Sequence, residues 1–188
     1  MIKRQIVTKQ LAEKVCRDQK IVSCLGRISR DLFQFIPEKD RYNCFYMTGA
    51  MGSVLPFSIG LGLAIPEKKI WAIEGDGSIL MNMGGLATYK RYNPANLTLF
   101  ILDNRQYETT GGQCSQPANF KLNEVCVSIG LKTICICDEH ILASTLGEIV
   151  MEYSSFDVVV IQTLPDQISP RIKEQPCNLS ENFKKTLW

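Results

Sequence analysis

The stretch Lys69-Ile70-Trp71-Ala72-Ile73-Glu74-Gly75-Asp76-Gly77-Ser78 reads as a short apolar strand that stops at a tight glycine turn and runs straight into a helix. Further along, Leu97-Thr98-Leu99-Phe100-Ile101-Leu102 forms a near-continuous apolar run that ends at Asp103-Asn104-Arg105. A run of that kind suits a strand buried on both faces, as happens in a parallel sheet covered by helices. Between the two lie a helix over about 78–89 and the turn Asn93-Pro94-Ala95-Asn96. That is enough chain for a crossover that returns the second strand parallel to the first and beside it.

The same alternation extends in both directions. Upstream, Val7, Leu11 and Val15 follow helical spacing, and a strand over 20–25 ends at Gly26. A helix over 29–35, a strand over 44–47 and a helix over 53–64 follow. Downstream, the irregular Gly-rich segment Arg105 to Ala118 gives way to a helix over 122–129, a strand over 132–137, a helix over 139–153 and a strand over 157–162. Six strands alternating with helices predict an α/β fold: a doubly wound, mainly parallel six-stranded sheet with helices on both faces. The predicted domain covers 1–165. Residues 166–188 turn polar, and prolines stand at 165, 170 and 176, so this part reads as a surface tail with a short helix over 180–187 that packs on a partner or frays.

A length of 188 residues with 45% hydrophobic composition fits one domain with a large core, since a domain takes about 100 to 200 residues. The net charge of +2 is too small to announce a nucleic-acid or membrane-surface partner. No apolar run approaches the roughly 18 residues of a membrane span, and Met1-Ile2-Lys3-Arg4-Gln5 leads into a polar amphipathic stretch. These features predict a soluble, cytoplasmic protein. Its eight cysteines then read as reduced, small hydrophobes; Cys135 and Cys137 share one face of a strand and have no second Cys/His pair to complete a zinc site. His140, the only histidine, falls at the start of a surface helix, away from the strand ends.

In open parallel sheets ligands bind beyond the carboxyl ends of the strands. Gly75-Asp76-Gly77-Ser78 occupies one such end: the glycines permit close backbone approach and Ser78 can cap the helix that follows. A carboxylate at a phosphate-binding turn makes sense when a divalent cation lies between them. Asn104 stands 28 positions after Asp76, at the end of the next strand, so the two side chains can converge. With a backbone carbonyl from the following loop they would leave room for phosphate oxygens on an octahedral Mg²⁺. A dinucleotide fingerprint is disfavoured, because Leu80 occupies its third glycine position.

Gly75-Asp76-Gly77 followed by Asn104 resembles the diphosphate and metal motif of thiamine-diphosphate-dependent enzymes. Gly49-Ala50-Met51-Gly52 resembles their aminopyrimidine-contacting segment, and Asn104-Arg105-Gln106-Tyr107-Glu108-Thr109-Thr110-Gly111-Gly112-Gln113 resembles the loop of the sulfopyruvate and phosphonopyruvate decarboxylases within that family. The resemblance spans roughly residues 6–163. It implies thiamine diphosphate and Mg²⁺ as cofactors, with Asp76, Asn104 and the Gln106 carbonyl as metal ligands and Gly75, Gly77 and Ser78 at the diphosphate. Met51 would support the bent cofactor and the Gly49 carbonyl would accept from its amino group; the bland alternative for Met51 is a core side chain.

By the same resemblance, the activity is decarboxylation of a small anionic 2-oxoacid; the alternatives are a two-chain carboligase and a non-catalytic cofactor-binding subunit. The family's catalytic glutamate lies on a pyrimidine-binding domain for which this chain is too short. The resemblance therefore implies an alpha subunit that carries that domain and that glutamate, in an α2β2 or larger hetero-oligomer. Glu74 is expected to face the diphosphate end and is given no catalytic role. Tyr107, Glu108 and Thr109 either meet substrate or anchor their loop, and Arg105 either attracts an anion or is solvated.

Overall fold

The computed structural model describes residues 1–16, 18–151 and 156–187. In chain order the elements are β1 (Ile2–Lys3), α1 (Arg4–Glu13), β2 (Gln19–Ser23), α2 (Arg27–Phe35), a 3-10 helix (Glu38–Asn43), β3 (Cys44–Tyr46), α3 (Val54–Ala64), β4 (Lys69–Gly75), α4 (Asp76–Met81), α5 (Gly84–Tyr92), β5 (Leu97–Asp103), β6 (Gln106–Tyr107), β7 (Gln113–Cys114), α6 (Leu122–Ser128), β8 (Thr133–Ile136), α7 (Glu139–Met151), β9 (Val158–Leu164) and α8 (Pro176–Lys184). Residues 152 and 153 of the helix expected over 139–153 lie outside the described residues.

Seven parallel strands make one sheet in the order β1-β9-β5-β4-β2-β3, with β8 also pairing β9. The six strands read from the sequence are all present. The seventh, β1, is two residues long and pairs Ile2 with Thr163, too short to leave a periodic signal. Every residue of β5 is buried, as its unbroken apolar run requires at the centre of a covered sheet. Trp71 on β4 meets Phe100 on β5 edge-on, with ring centroids 5.0 Å apart. Helices α1, α2 and α7 pack together, as do α3 and α5.

Two expectations change in the structure. The single helix over 78–89 is broken: α4 ends at Met81 and α5 begins at Gly84. The break has a cause in the Asn82 side chain, whose Nδ2 donates to the Gly52 carbonyl at 2.8 Å, and in the Gly84-Gly85 pair, a poor helix interior. The tail does not fray. Pro176 starts α8, where its missing N–H matters least, and buried Leu179 and Phe183 face the chain's own edge strand, with Phe183 edge-on to Phe45 at 5.4 Å.

Candidate functional site

The register between β4 and β5 pairs Gly75 with Leu102, so Asp76 and Asn104 leave the sheet from neighbouring strand ends. Both line one cavity of about 110 Å³, together with Met51, Gly75, Gly77, Ser78 and Gln106. Tyr107, Glu108 and Thr109 of the hairpin β6–β7 line it as well. Gly49 stands apart, exposed in the loop before α3 with a φ of +72°, and does not line the cavity.

Asp76 is 2% exposed. Its Oδ2 accepts from the Ser115 hydroxyl and, at 3.5 Å, from Gln116 Nε2, which also donates to Asp103 at 2.6 Å. Burial pushes the Asp76 carboxyl up to about 6, opposed by the Ser115 hydrogen bond and reinforced by the charge of Asp103, itself raised by burial. Two acids thus lie close together, held by neutral donors, and among the described residues no cation pairs with Asp76 within 4 Å. Asn104 Oδ1 accepts from the Gln106 N–H at 2.9 Å, closing a turn and leaving its second lone pair free.

Ser78 turns inward. Its hydroxyl donates to Glu74 Oε1 and accepts from the Gly52 N–H, both at 2.9 Å, which ties the loop before α3 to the turn after β4. Glu74 does not face the diphosphate end, as the sequence led us to expect. It is wholly buried behind α4 and close to the Val54 N–H at the start of α3, its Oε2 has no hydrogen-bond partner among the described residues, and desolvation raises it to about 7. Gly77 is pressed against the Tyr107 ring, where a Cβ would come within 2.4 Å of Cε1. Arg105 also departs from expectation: its guanidinium donates to the Ala118 and Phe120 carbonyls, each at 2.5 Å, and points away from the cavity.

The model of the thiamine pyrophosphate enzymes' C-terminal TPP-binding domain matches residues 22–155. The chain belongs to the thiamine pyrophosphate enzymes. Among the relatives, the beta subunit of sulfopyruvate decarboxylase from Methanothermobacter thermautotrophicus is 38% identical over 85% of this chain and 89% of its own length. Phosphonopyruvate decarboxylase of Streptomyces viridochromogenes is 36% identical over 69% of this chain but only 32% of its own. A solved thiamin diphosphate-dependent enzyme from Mycobacterium smegmatis has the same fold, with a TM-score of 0.69 at 18% identity; the match covers 88% of this chain and 32% of that one.

A thiamine pyrophosphate enzyme needs a cation to bridge protein and diphosphate, and the donors here fit one. A buried carboxylate beside a second acid lacks exactly the positive charge that a divalent ion would bring, and carboxylate, carboxamide and carbonyl oxygens are the ligand types Mg²⁺ takes. Sequence reasoning missed Ser115 and Gln116, which support Asp76, and Arg4 and Arg27, which line the cavity from the starts of α1 and α2. Ser115 and Gln116 do follow the resembling loop, separated from it by Cys114 alone. Arg4, by contrast, lies more than 70 positions from Asp76, and only the fold brings it near.

Proposed function

We propose that the chain is the diphosphate-binding subunit of a two-chain thiamine-diphosphate-dependent decarboxylase, acting on a small anionic 2-oxoacid of the sulfopyruvate or phosphonopyruvate type. The observation that carries this reading is the coverage pattern. The chain matches a separately encoded beta subunit along nearly its whole length, yet only a third of a single-chain decarboxylase.

In this reading Asp76, Asn104 and the Gln106 carbonyl hold Mg²⁺, while the backbone of Gly75, Gly77 and Ser78 receives the diphosphate. Met51 and the Gly49 carbonyl meet the aminopyrimidine. What thiamine diphosphate supplies when bound is addition to the 2-oxo group and storage of the electron pair released as carbon dioxide leaves. The chain orients that group and, through Tyr107 and Thr109 of the hairpin, screens its diphosphate end from water. The proton acceptor at the aminopyrimidine is a glutamate on an alpha subunit. Two features support that partner. The cavity of about 110 Å³ is well below the roughly 300 Å³ of typical ligand pockets. Helix α3, Val-Leu-Pro-Phe-Ser-Ile-Gly-Leu-Gly-Leu-Ala, follows the Met51 loop and is apolar all round yet leaves Phe57 and Leu63 exposed, and such helices are normally buried. An α2β2 assembly in the cytoplasm, where the eight free thiols stay reduced, completes the proposal.

The test combines the chain with the product of a neighbouring reading frame, thiamine diphosphate and Mg²⁺, and follows carbon dioxide, aldehyde and acyloin over a panel of 2-oxoacids. Aldehyde and carbon dioxide from a sulfonated or phosphonated substrate, abolished by Asp76→Ala, is the expected result. Acyloin as main product would replace decarboxylation by ligation, and cofactor turnover insensitive to Asp76→Ala would refute the site.

A further inference from the structure

Glu108, in the loop that joins β6 to β7, is held by two guanidinium groups from distant parts of the chain. Arg4 Nη1 donates to Oε1 at 3.3 Å and to Oε2 at 3.1 Å, and Arg27 Nη1 donates to Oε1 at 3.3 Å. Arg27 Nη2 also donates to the Glu108 backbone carbonyl at 3.1 Å, so one side chain fixes both the carboxylate and the peptide. Arg4 opens α1 and Arg27 opens α2. The remaining donors of Arg4 go to Asp31 on α2 at 2.8 Å and to the Gln167 carbonyl at 2.7 Å, while Asp31 accepts from Ser169 at 2.5 Å.

These groups are sheltered: the side chains of Arg4 and Asp31 are 3% and 0% exposed, those of Glu108 and Arg27 10% and 20%. A pair this far out of water keeps its attraction in salt, and losing one member strands the charge of the other. The two arginines balance the two acids, so the cluster is neutral as a whole. At the hairpin's other end Arg105, with a φ of +60°, is tied to the Ala118 and Phe120 carbonyls. Between these anchors lie Gln106 and Tyr107, the latter with its ring on Gly77.

We propose that Arg4 and Arg27, acting through Glu108, are positioning residues that hold the hairpin of residues 105–114 against the strand ends and so preset the Gln106 carbonyl and the Tyr107 ring for the diphosphate and its cation. This rests on the cofactor reading given under Proposed function. The arginines line the cavity, and their contacts to the hairpin run through Glu108. Loosening the latch lowers the fraction of molecules ready to bind, and the apparent cofactor affinity falls by that fraction, while the step after binding is little changed.

The test measures hydrogen exchange in peptides covering 105–116 of the full chain without cofactor, for the wild type, Glu108→Gln, Arg27→Gln and the double variant. Each single variant is expected to exchange hairpin amides about tenfold faster, with no further gain in the double variant and unchanged amides in β4 and β5. Arg27→Lys, which keeps the charge but lacks the fork that spans carboxylate and carbonyl, recovers part of the protection. In the assembled enzyme the KM for thiamine diphosphate rises about tenfold, a larger change than that in kcat. Hairpin protection equal to the wild type overturns the latch, and so does a loosened hairpin with an unchanged cofactor KM. A wild type that binds no thiamine diphosphate overturns the cofactor reading instead, and the positioning role falls with it.

Discussion

Gly77→Ala isolates the contact between the hairpin and the metal turn. Gly77 sits in the first turn of α4 at an ordinary φ, so alanine fits the backbone there and would by propensity alone favour the helix by about 1 kcal/mol. Against that, the new methyl would lie 2.4 Å from Tyr107 Cε1, 2.8 Å from Cδ1 and 3.2 Å from Cζ. Carbon atoms in contact normally stay about 3.5 Å apart, so the ring must retreat by about 1 Å. Insertions of this kind destabilise by about 1–3 kcal/mol. With the propensity gain deducted, the net loss is about 0–2 kcal/mol, or up to roughly 8 °C in Tm for a chain of this size. The decisive assay is a double-mutant cycle in thermal unfolding of the cofactor-free chain. Once Tyr107→Ala has removed the ring, Gly77→Ala should become neutral or stabilising, giving a coupling of about 1 kcal/mol or more. Additive effects would refute the reasoning, because the alanine would then be harmful for some reason other than collision with Tyr107.

Phe183→Ala should cost about 3–5 kcal/mol in chemical denaturation if α8 is part of the core, as its burial against Phe45 indicates; a loss under about 0.5 kcal/mol would make the tail dispensable. Asn82→Ala removes the bond to the Gly52 carbonyl and should destabilise by about 1 kcal/mol while raising hydrogen exchange over residues 49–53, and unchanged exchange there would contradict that link. Burial lifts the Cys44 thiol to about 12 and that of Cys126 to about 11, and raises Cys24 further, so at pH 8 these three hold almost no thiolate. Iodoacetamide followed by mass spectrometry should therefore label exposed Cys16, Cys114 and Cys177 first, and early labelling of Cys24 would contradict its burial. Asp76→Asn relieves a buried charge beside Asp103, so the cofactor-free chain should be as stable as the wild type or more so, yet the rise in Tm on adding thiamine diphosphate with Mg²⁺ should vanish. A variant that keeps that rise would remove Asp76 from the metal site.

The elements that position the site were legible because their signals are local. The apolar runs of β4 and β5 and the glycine turn at 75–77 each lie within ten residues of chain, and the crossover rule alone sets Asp76 beside Asn104. What sequence could not show depends on contacts between distant segments. The break in the helix after Met81 is made by Asn82 reaching back to Gly52, 30 positions away, and no periodicity records it. Glu74 lies on the expected strand but faces closed core: alternation along a strand tells which face a side chain takes, and only the packed helices α3 and α4 show that this face is shut. The tail read as polar because only Leu179 and Phe183 of α8 are buried, and what they pack against is an edge strand more than 130 positions away.

Features that run against local stability gather at one end of this sheet. Asp76 and Asp103 are buried together, Glu74 keeps an oxygen unpaired among the described residues, Arg105 holds a left-handed backbone, and Gly49 and Gly52 adopt positive φ in the loop before α3. The buried acids, the unpaired oxygen and the left-handed arginine are each destabilising, the two glycines supply turns that only glycine makes easily, and all lie at or just beyond the carboxyl ends of β3, β4 and β5. The opposite ends carry ordinary solutions instead: the left-handed Asn93 there is a common C-terminal cap of α5, Asn96 caps the carbonyls of Ile65 and Lys68 with its amide, and Tyr89 donates to the Leu97 carbonyl at 2.6 Å. A fold under selection for stability alone has no reason to concentrate uncompensated charge and strained backbone at one rim. Here they share the rim with the cavity, of whose lining Asp76 is part, with the neutral donors Ser115 and Gln116 that keep the acids in place, and with the ionic latch that carries the hairpin. The imbalance has the sign a bound cation corrects, which is why the same residues that weaken the empty chain are the ones expected to hold its cofactor.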